Sequence, residues 1–458
     1  MRNTLFFLML SFGLGAIAQG DKSSCPGNLS IFAEFAKVKN YDSAYQPWKE
    51  VLTTCPELNV ATFKYGERIL AHKIKNASDD ITAYVQELMA LYDDWITYFP
   101  TTKSGKSETG KILSSKAQAM IDYKSGSTLE AYEIFNQAFV QDAASFTSPK
   151  SLYTFFNTTF ILYKEGSLST EELFNKYEEI SEKFELEQTN LARKLDVVLN
   201  KEDAGEPVTS REQRNKRVYE TNVLAFSTYA NNLDAIISKE SSCENLIPLY
   251  RKNFEANKTN SVWLNRAASR MDAKECSDDP LFVELVEALH GINPSANSAY
   301  YLGLLKDKAG DSQGALAYYE ESLTLEQDQY RKAAILYKIA VKFKTKGLKS
   351  KARSYAKRAL ANQPSMGKAY MLIANLYAAS ANDCGNTQFE KRAVYWLAAK
   401  TARRAANVDS GVKKIALKMA ASYEGRAPSK TDIFTEGNAG QTIRFSCWIN
   451  DSVTVPQL

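Results

Sequence analysis

A repeat of about 34 residues constrains the fold of this chain more than any other feature of its sequence. In the unit that starts at Ala296, a large–small pair, Leu302-Gly303, is followed at fixed distances by Ala315 and Tyr319. The apolar spacing within each half of the unit is helical, and a Gly-Asp pair between the halves favours a turn. The repeat therefore predicts pairs of antiparallel helices that stack on one another.

Other parts of the chain follow the same pattern. In two of the units, Pro56 and Pro364 fall where the second helix must stop, because proline cannot continue a helix. Signals for strands are nearly absent before the last 20 or so residues. We therefore predict an all-α, tetratricopeptide (TPR)-type helical-hairpin solenoid with a short extended C-terminal tail. The five units begin at Cys25, Ile112, Ala296, Ala333 and Gly367, the second of them with the weakest match.

Three segments resemble the exported TPR proteins of the Bacteroidetes phylum. They read CPGNLSIFAEFAKVKNYDSAYQPWKEVLTTCPEL near the start, and CGNTQFEKRAVYWLAAKTARRAANVD and FSCWINDSVTV near the end. The resemblance covers most of the chain after residue 18. It implies an α-solenoid in the periplasm or at the outer membrane, and it implies no defined activity.

The first residues have the pattern of an export signal. Arg2 precedes an apolar run over 5–17, and Ala16-Ile17-Ala18 forms a small-residue cleavage box. The run is too short to span a membrane, which needs about 20 apolar residues. The residues before Cys25 are a poor match to a lipoprotein signal. We expect a cleaved signal peptide and a protein that is exported to the periplasm or associated with the outer membrane.

The six cysteines fit an exported protein, in which disulfides form and persist. Cys25 starts one predicted helix and Cys55 ends its antiparallel partner, so these two lie within plausible reach of each other. Free, buried thiols are the alternative. Six cysteines allow 15 pairings. Pairing between neighbours along the chain would give Cys25–Cys55, Cys243–Cys276 and Cys384–Cys447, and the repeat geometry supports the first of these.

A polar break over 201–211, KEDAGEPVTSR, is the best candidate for a linker. The predicted organisation is a signal peptide over 1–18, an N-terminal TPR-like array over 19–200, the linker, a C-terminal TPR array with a basic face over 212–428, and a tail over 429–458.

The motifs of catalysis and cofactor binding are missing from the sequence. A Gly105-Lys106-Ser107 triplet has Pro100 where a phosphate loop needs glycine, so it predicts only a polar loop. His72 and His290 follow apolar runs and are expected to be structural. The glutamates of the acidic segment, Glu178 among them, are expected to form a solvated helix face. We therefore predict a protein that is not an enzyme, with no catalytic residues, no cofactor and no metal.

Charge is distributed very unevenly along the chain, although the net charge is only +4. Residues 331–418 hold 20 Lys and Arg against three acids, and residues 165–206 hold 12 acids against five bases. A basic arm of this kind attracts anionic partners over a distance, although a solvated lysine-rich helix face would give the same count. The candidate basic patch is Lys338, Lys342, Lys346 and Lys349.

TPR arrays bind ligands on the concave face that their first helices line, and this resemblance selects the candidate contact residues. Tyrosines at such positions combine a large contact area with a polar tip. Lysine and asparagine at neighbouring positions are the types that clamp a peptide carboxylate in similar proteins. The candidate partner-binding residues are Asn297, Tyr300, Tyr337, Lys344, Lys368 and Asn375.

Taken together, these patterns favour a scaffold or adaptor that binds protein partners, namely envelope proteins or peptide segments, through a concave groove and a basic arm. Anionic envelope polymers are further candidate partners, peripheral membrane association stays open, and nucleic acid is not expected. The alternatives are a SusD-like glycan-binding protein and an assembly chaperone for envelope proteins.

Overall fold

The computed structural model describes residues 22–78 and 80–458, and it confirms the predicted all-α fold. The predicted signal peptide lies outside the described residues. Helices near the N-terminus are α1 (Cys25–Lys37), α2 (Tyr41–Thr54), α3 (Ala61–Asn76), α4 (Thr82–Tyr98), α5 (Thr109–Tyr123), α6 (Thr128–Asp142) and α7 (Pro149–Lys164).

The next part of the chain begins with two long helices and continues as shorter ones. They are α8 (Thr170–Asp203), α9 (Ser210–Ile237), α10 (Cys243–Asn257), α11 (Ser261–Ala273), α12 (Pro280–Ile292), α13 (Ala296–Lys308), α14 (Ser312–Leu325), α15 (Gln329–Thr345), α16 (Lys349–Asn362), α17 (Gly367–Ala378), α18 (Gln388–Val408), α19 (Lys413–Glu424) and α20 (Lys430–Glu436). Strands β1 (Thr442–Phe445) and β2 (Asp451–Thr454) pair antiparallel, with Thr442 opposite Thr454.

The chain divides into two compact units, Met1–Thr158 and Thr159–Leu458. The polar segment predicted as a linker joins the ends of α8 and α9, which pack together in the second unit. Lys201 and Glu212 form an ion pair of 2.6 Å across this turn. The boundary between the compact units thus falls earlier in the chain than the predicted linker. The predicted domain boundaries stay a prediction.

The first unit contains the hairpins α1–α2 and α5–α6, which correspond to the units predicted from Cys25 and Ile112. Trp48 is completely buried, and its indole N–H donates to the Thr62 carbonyl at 2.7 Å. A Cβ at Gly66 would lie 2.6 Å from the Trp48 nitrogen, so this glycine permits the close packing of α3 on α2. The Cys25–Cys55 disulfide joins the start of α1 to the end of α2.

The second unit contains the hairpins α13–α14, α15–α16 and α17–α18, as predicted. Gly303 allows the close approach of α13 and α14, because a Cβ there would lie 2.5 Å from the Tyr319 ring. Helix α16 ends at Asn362, two residues before Pro364. These contacts explain why the repeat requires a small residue at each helix crossing.

The tail begins with a helix, α20, and then becomes extended over the last residues, as the sequence predicts. It packs on α18, where Phe389, Ile433 and Val455 form a small apolar cluster. The Cys384–Cys447 disulfide and a hydrogen bond of 3.0 Å from Arg353 to the Trp448 carbonyl fasten the strand pair to the repeats. The remaining disulfide, Cys243–Cys276, joins the start of α10 to the segment after α11, so all six cysteines pair with their neighbours along the chain.

Candidate functional site

The long helix α8 runs along the repeats of the second unit and contacts several of them in turn. Ser169 and Glu172 form a capping box that starts α8. Several of its charged residues contact the helices that follow or the segments between them. The contacts are Glu178 with Arg270, Glu182 with Arg266, Arg193 with Asp328, Asp196 with the Ser365 N–H, and Asp203 with Arg404.

These contacts explain part of the uneven charge along the chain. Most of them pair an acid of α8 with a base of α11 or α18, and the acidic stretch thereby neutralises basic residues within the same unit. The expectation of a solvated glutamate face was wrong for Glu178, whose side chain is buried against Arg270. Sequence spacing could not reveal this, because a glutamate facing water and one facing arginine recur at the same helical interval.

The ion pair of Arg270 and Glu178 is the most deeply buried of the ion pairs that join α8 to α11, α15 or α18. The Arg270 Nε donates to Glu178 at 2.9 Å, and its guanidinium lies 3.9 Å from the centre of the Tyr177 ring. Burial lowers the pKa of Arg270, but the neighbouring Glu178 and Tyr177 more than offset this and leave it raised. Burial also raises the pKa of Tyr177, to about 12. At neutral pH the Arg270 guanidinium is therefore charged and the Tyr177 hydroxyl keeps its proton.

A cavity of about 750 Å³ lies between α8 and the first halves of α13, α15 and α17. Glu185 of α8, Lys338 of α15 and Lys368 of α17 line it. Within the described residues, none of these three lies within ion-pair distance of an opposite charge. The cavity therefore presents one carboxylate and two ammonium groups that can bind a polar ligand.

The two lysines of the cavity rest on aromatic rings. Lys368 Nζ lies 4.8 Å from the centre of the Tyr337 ring, and Lys338 Nζ lies 5.5 Å from that of Tyr300. Both lysines are exposed to the cavity, although protein atoms lie around them. Burial lowers the pKa of Lys368, and nearby Lys338 lowers it further. Burial raises the pKa of Glu185 against the opposing effect of both lysines.

Asp196 is buried beside the cavity, with 2% of its surface exposed, and its carboxylate accepts a hydrogen bond from the Ser365 N–H at 2.8 Å. Burial raises the pKa of Asp196, so the folded protein holds this proton more tightly than the unfolded chain. Its stability contribution therefore falls as pH rises through the raised pKa.

We expect Asp196→Asn to be more stable than the wild type at neutral pH by about 1 kcal/mol. The amide oxygen can still accept the hydrogen bond from the Ser365 N–H, and the buried negative charge is removed. The difference should shrink as the pH falls below the ordinary carboxyl range. Urea unfolding at a series of pH values measures it, and a difference that does not change with pH would contradict the assignment.

The structure places the six predicted contact residues in different environments. Asn297 and Lys368 line the cavity, and Asn297 donates to Asn265 at 3.0 Å. Tyr337 is half-buried beneath Lys368, Lys344 is exposed, and Asn375 lies in a second groove described below. Tyr300 has 2% of its surface exposed, so its assignment as a partner contact was wrong.

Tyr300 packs against two other tyrosines, Tyr301 and Tyr319, whose ring centres lie 5.5 and 5.9 Å from its own. An aromatic residue at this position of the helix therefore belongs to the core between the helices. Glu185, which the sequence analysis did not select, is the clearest addition to the site.

Three lysines of the predicted basic patch pair within the second unit. Lys342 lies 3.5 Å from Asp272, Lys346 lies 2.5 Å from Asp307, and Lys349 lies 3.1 Å from Asp383. Each pair joins different helices or a helix and a neighbouring loop, so these charges contribute to contacts within the array. Lys338 differs from them because it faces the cavity. The patch is therefore not one continuous free surface.

A second groove, of about 550 Å³, lies between α17 and α19. Its walls include the polar Asn375, the apolar Ala378, Ile415 and Met419, and the basic Lys418 and Arg426. The side chain of Ile415 is unusually open for an apolar residue, since Ile415 has 59% of its surface exposed.

Two further features of residues 22–78 and 80–458 concern metal binding and membrane crossing. No grouping of three or more His, Cys, Asp or Glu side chains there is arranged to hold a metal ion. None of the helices in this part of the chain combines the length and apolar character that crossing a membrane requires.

No protein-family model matches the chain. Among solved structures, it is similar to a TPR protein from Parabacteroides merdae, with 12% identity, a TM-score of 0.24, and coverage of 68% of this chain and 97% of that one. Yeast Tom70 aligns with 12% identity and a TM-score of 0.26, over 90% of this chain and 82% of its own. Human IFIT1, solved as a dimer with m7Gppp-AAAA, aligns with 13% identity and a TM-score of 0.28, over 88% and 95%.

Two curated proteins match in sequence, the Photosystem I assembly proteins Ycf3 of Cuscuta gronovii and Cuscuta obtusiflora. Each is 30% identical over 112 residues, which cover 22% of this chain and 67% of the relative. The stacked hairpins, with a small residue at each crossing, establish the repeat fold independently of these matches. The chain is a TPR-type helical-repeat protein, and over the matched stretch it belongs to the same family of repeat proteins as the two Ycf3 proteins.

Proposed function

We propose that the protein is a non-enzymatic scaffold of the bacterial envelope that binds segments of partner proteins on the concave surface of its second unit. One observation carries this proposal: Glu185, Lys338 and Lys368 line a cavity of about 750 Å³, and none of them forms an ion pair with another described residue. All three residues are exposed, so their charges are accessible to a partner. A peptide offers both a carboxylate for the lysines and a basic or amide group for Glu185.

The proposed location is the periplasm or the periplasmic side of the outer membrane. The pattern of the first residues supports export, and so do the three disulfides, which form and persist in oxidising compartments. The resemblance to exported TPR proteins of the Bacteroidetes agrees with both.

We expect the double variant Lys338→Glu/Lys368→Glu to lose its partners. Reversing both charges leaves Glu185 facing two further carboxylates, which repel the acidic groups that the wild type binds. The measurement is cross-linking in intact cells, recovery of the full chain from the periplasmic fraction, and comparison of the bound proteins. Their yield should fall about tenfold.

The matched control is Lys357→Glu/Lys400→Glu, which makes the same change in net charge at exposed lysines on α16 and α18. This control should retain the bound proteins. Equal yields from the two double variants would contradict the cavity as the binding site, and absence of the chain from the periplasmic fraction would contradict the proposed location.

A role in assembly is a second candidate, and the match to proteins described as Photosystem I assembly proteins favours it. An assembly factor releases its partner after assembly, whereas a scaffold keeps it. Cross-linking after a short pulse and a long chase distinguishes them, because an assembly factor captures only newly made partners.

A further inference from the structure

The groove between α17 and α19 has the features of a docking surface for a helix or an extended segment. Ile415, Lys418, Met419 and Ser422 recur at helical spacing and form one stripe along α19. Ala378 of α17 lies on the opposite wall. The groove therefore has apolar groups along its length and a basic group beside them.

Packing of the tail explains why this face of α19 is uncovered. In a solenoid, each repeat buries its apolar surface against the next one. Here the segment after α19 turns to α18 instead, where Arg392 donates to Asp432 at 3.0 Å and to the Ala427 carbonyl at 2.7 Å. Ile415 is left with more than half of its surface exposed beside a groove of about 550 Å³.

The charges around the groove select the chemistry of its occupant. Lys418 and Arg426 line it, and Lys413 and Lys414 begin the same helix. The sequence of α19 holds a single acid, Glu424, which is paired with Arg403. A bound segment therefore meets both cations and apolar carbon.

We propose that this groove binds an acidic amphipathic segment of a partner protein, with apolar side chains seated against Ile415 and Met419 and carboxylates facing Lys418 and Arg426. The proposal rests on the proposed scaffold function and names the chemistry of one partner segment. Helix α19 has 12 residues, so a segment of about three helical turns matches its length. Side chains of Leu, Ile or Phe fit the apolar stripe, and Glu or Asp fits its flanks.

The probe is a fluorescent synthetic peptide of this design, with leucines at helical spacing and flanking glutamates, and the second peptide has lysines in place of the glutamates. Fluorescence anisotropy with the full chain measures binding of both. We expect the glutamate peptide to bind at least about tenfold more tightly than the lysine peptide. Ile415→Asp should weaken binding of the glutamate peptide by a similar factor.

The matched control is Val262→Asp on α11, because Val262 is 57% exposed and lies outside the groove. It should bind the glutamate peptide as the wild type does. The charge-reversed variant Lys418→Glu/Arg426→Glu should instead prefer the lysine peptide, a gain that an unfolded protein cannot show. Circular dichroism confirms that each variant is folded.

Equal affinity for the two peptides, no binding of the glutamate peptide, or equal effects of Ile415→Asp and Val262→Asp would each overturn the proposal. The residues and readout differ from those of the cavity experiment. If the cavity variant loses its partners but still binds the glutamate peptide, both proposals are supported. If the wild type does not bind the glutamate peptide but the cavity experiment succeeds, this proposal is wrong and the scaffold function stands.

Discussion

Replacing Arg270 by methionine is expected to lower the unfolding free energy of the protein by about 3–5 kcal/mol. Arg270 is 6% exposed, and its loss leaves the Glu178 carboxylate buried without its partner. The guanidinium also covers the Tyr177 ring, so packing is lost together with charge. Urea unfolding of the full chain, followed by circular dichroism, measures the change.

A matched control separates the ion pair from the packing. The double variant Arg270→Met/Glu178→Met removes both charges and replaces them with apolar groups, and we expect it to recover much of the lost stability. If the double variant were as unstable as Arg270→Met alone, the buried charge would not be the cause. Arg266→Met provides the exposed comparison, because Arg266 pairs with Glu182, whose side chain is half exposed. This substitution should lower the unfolding free energy by at most about 1 kcal/mol.

Removing the Cys384–Cys447 disulfide with two serines is expected to cost about 2–4 kcal/mol and to release the tail. The bond closes a loop with a sequence separation of 63 residues, so its loss frees a long stretch of the unfolded chain. The tail otherwise depends on a few contacts, among them the hydrogen bond from Arg353 to the Trp448 carbonyl. Limited proteolysis should cleave the region after α19 much faster than in the wild type.

The matched control is Cys25→Ser/Cys55→Ser, which removes a disulfide of the first unit and should not accelerate cleavage near the tail. Similar cleavage in both double variants would show that the effect is general destabilisation. Unchanged cleavage in Cys384→Ser/Cys447→Ser would show that noncovalent contacts suffice to hold the tail.

Packing within each hairpin could be predicted from the sequence because it depends on neighbours at a fixed spacing. Gly303, Ala315 and Tyr319 meet as the repeat requires, and the hairpin from Cys25 to Cys55 closes with a disulfide. Such patterns report which face of a helix is buried against its partner helix. They therefore predicted the fold class, the hairpins and the first of the cysteine pairs, Cys25–Cys55.

The candidate site was harder to predict because it depends on a helix from outside the regular repeats. Nothing in the repeat shows that α8 lies along the first helices, so Glu185 was not selected and Glu178 was assigned to solvent. Tyr300 was misassigned for a related reason, since aromatic residues of the concave face and of the core recur at the same interval. The attraction of an anionic partner by the basic arm stays a prediction, and three of the four selected lysines pair with acids of the second unit.

The order in which the six cysteines pair bears on how the chain acquires its bonds. The first joins the second, the third joins the fourth and the fifth joins the sixth, so no bond encloses the cysteine of another pair. A chain that emerges from its N-terminus presents both members of each pair before the next pair is available. An oxidant that acts on thiols as they emerge therefore makes the native bonds directly, without the slow reshuffling that interleaved pairs require.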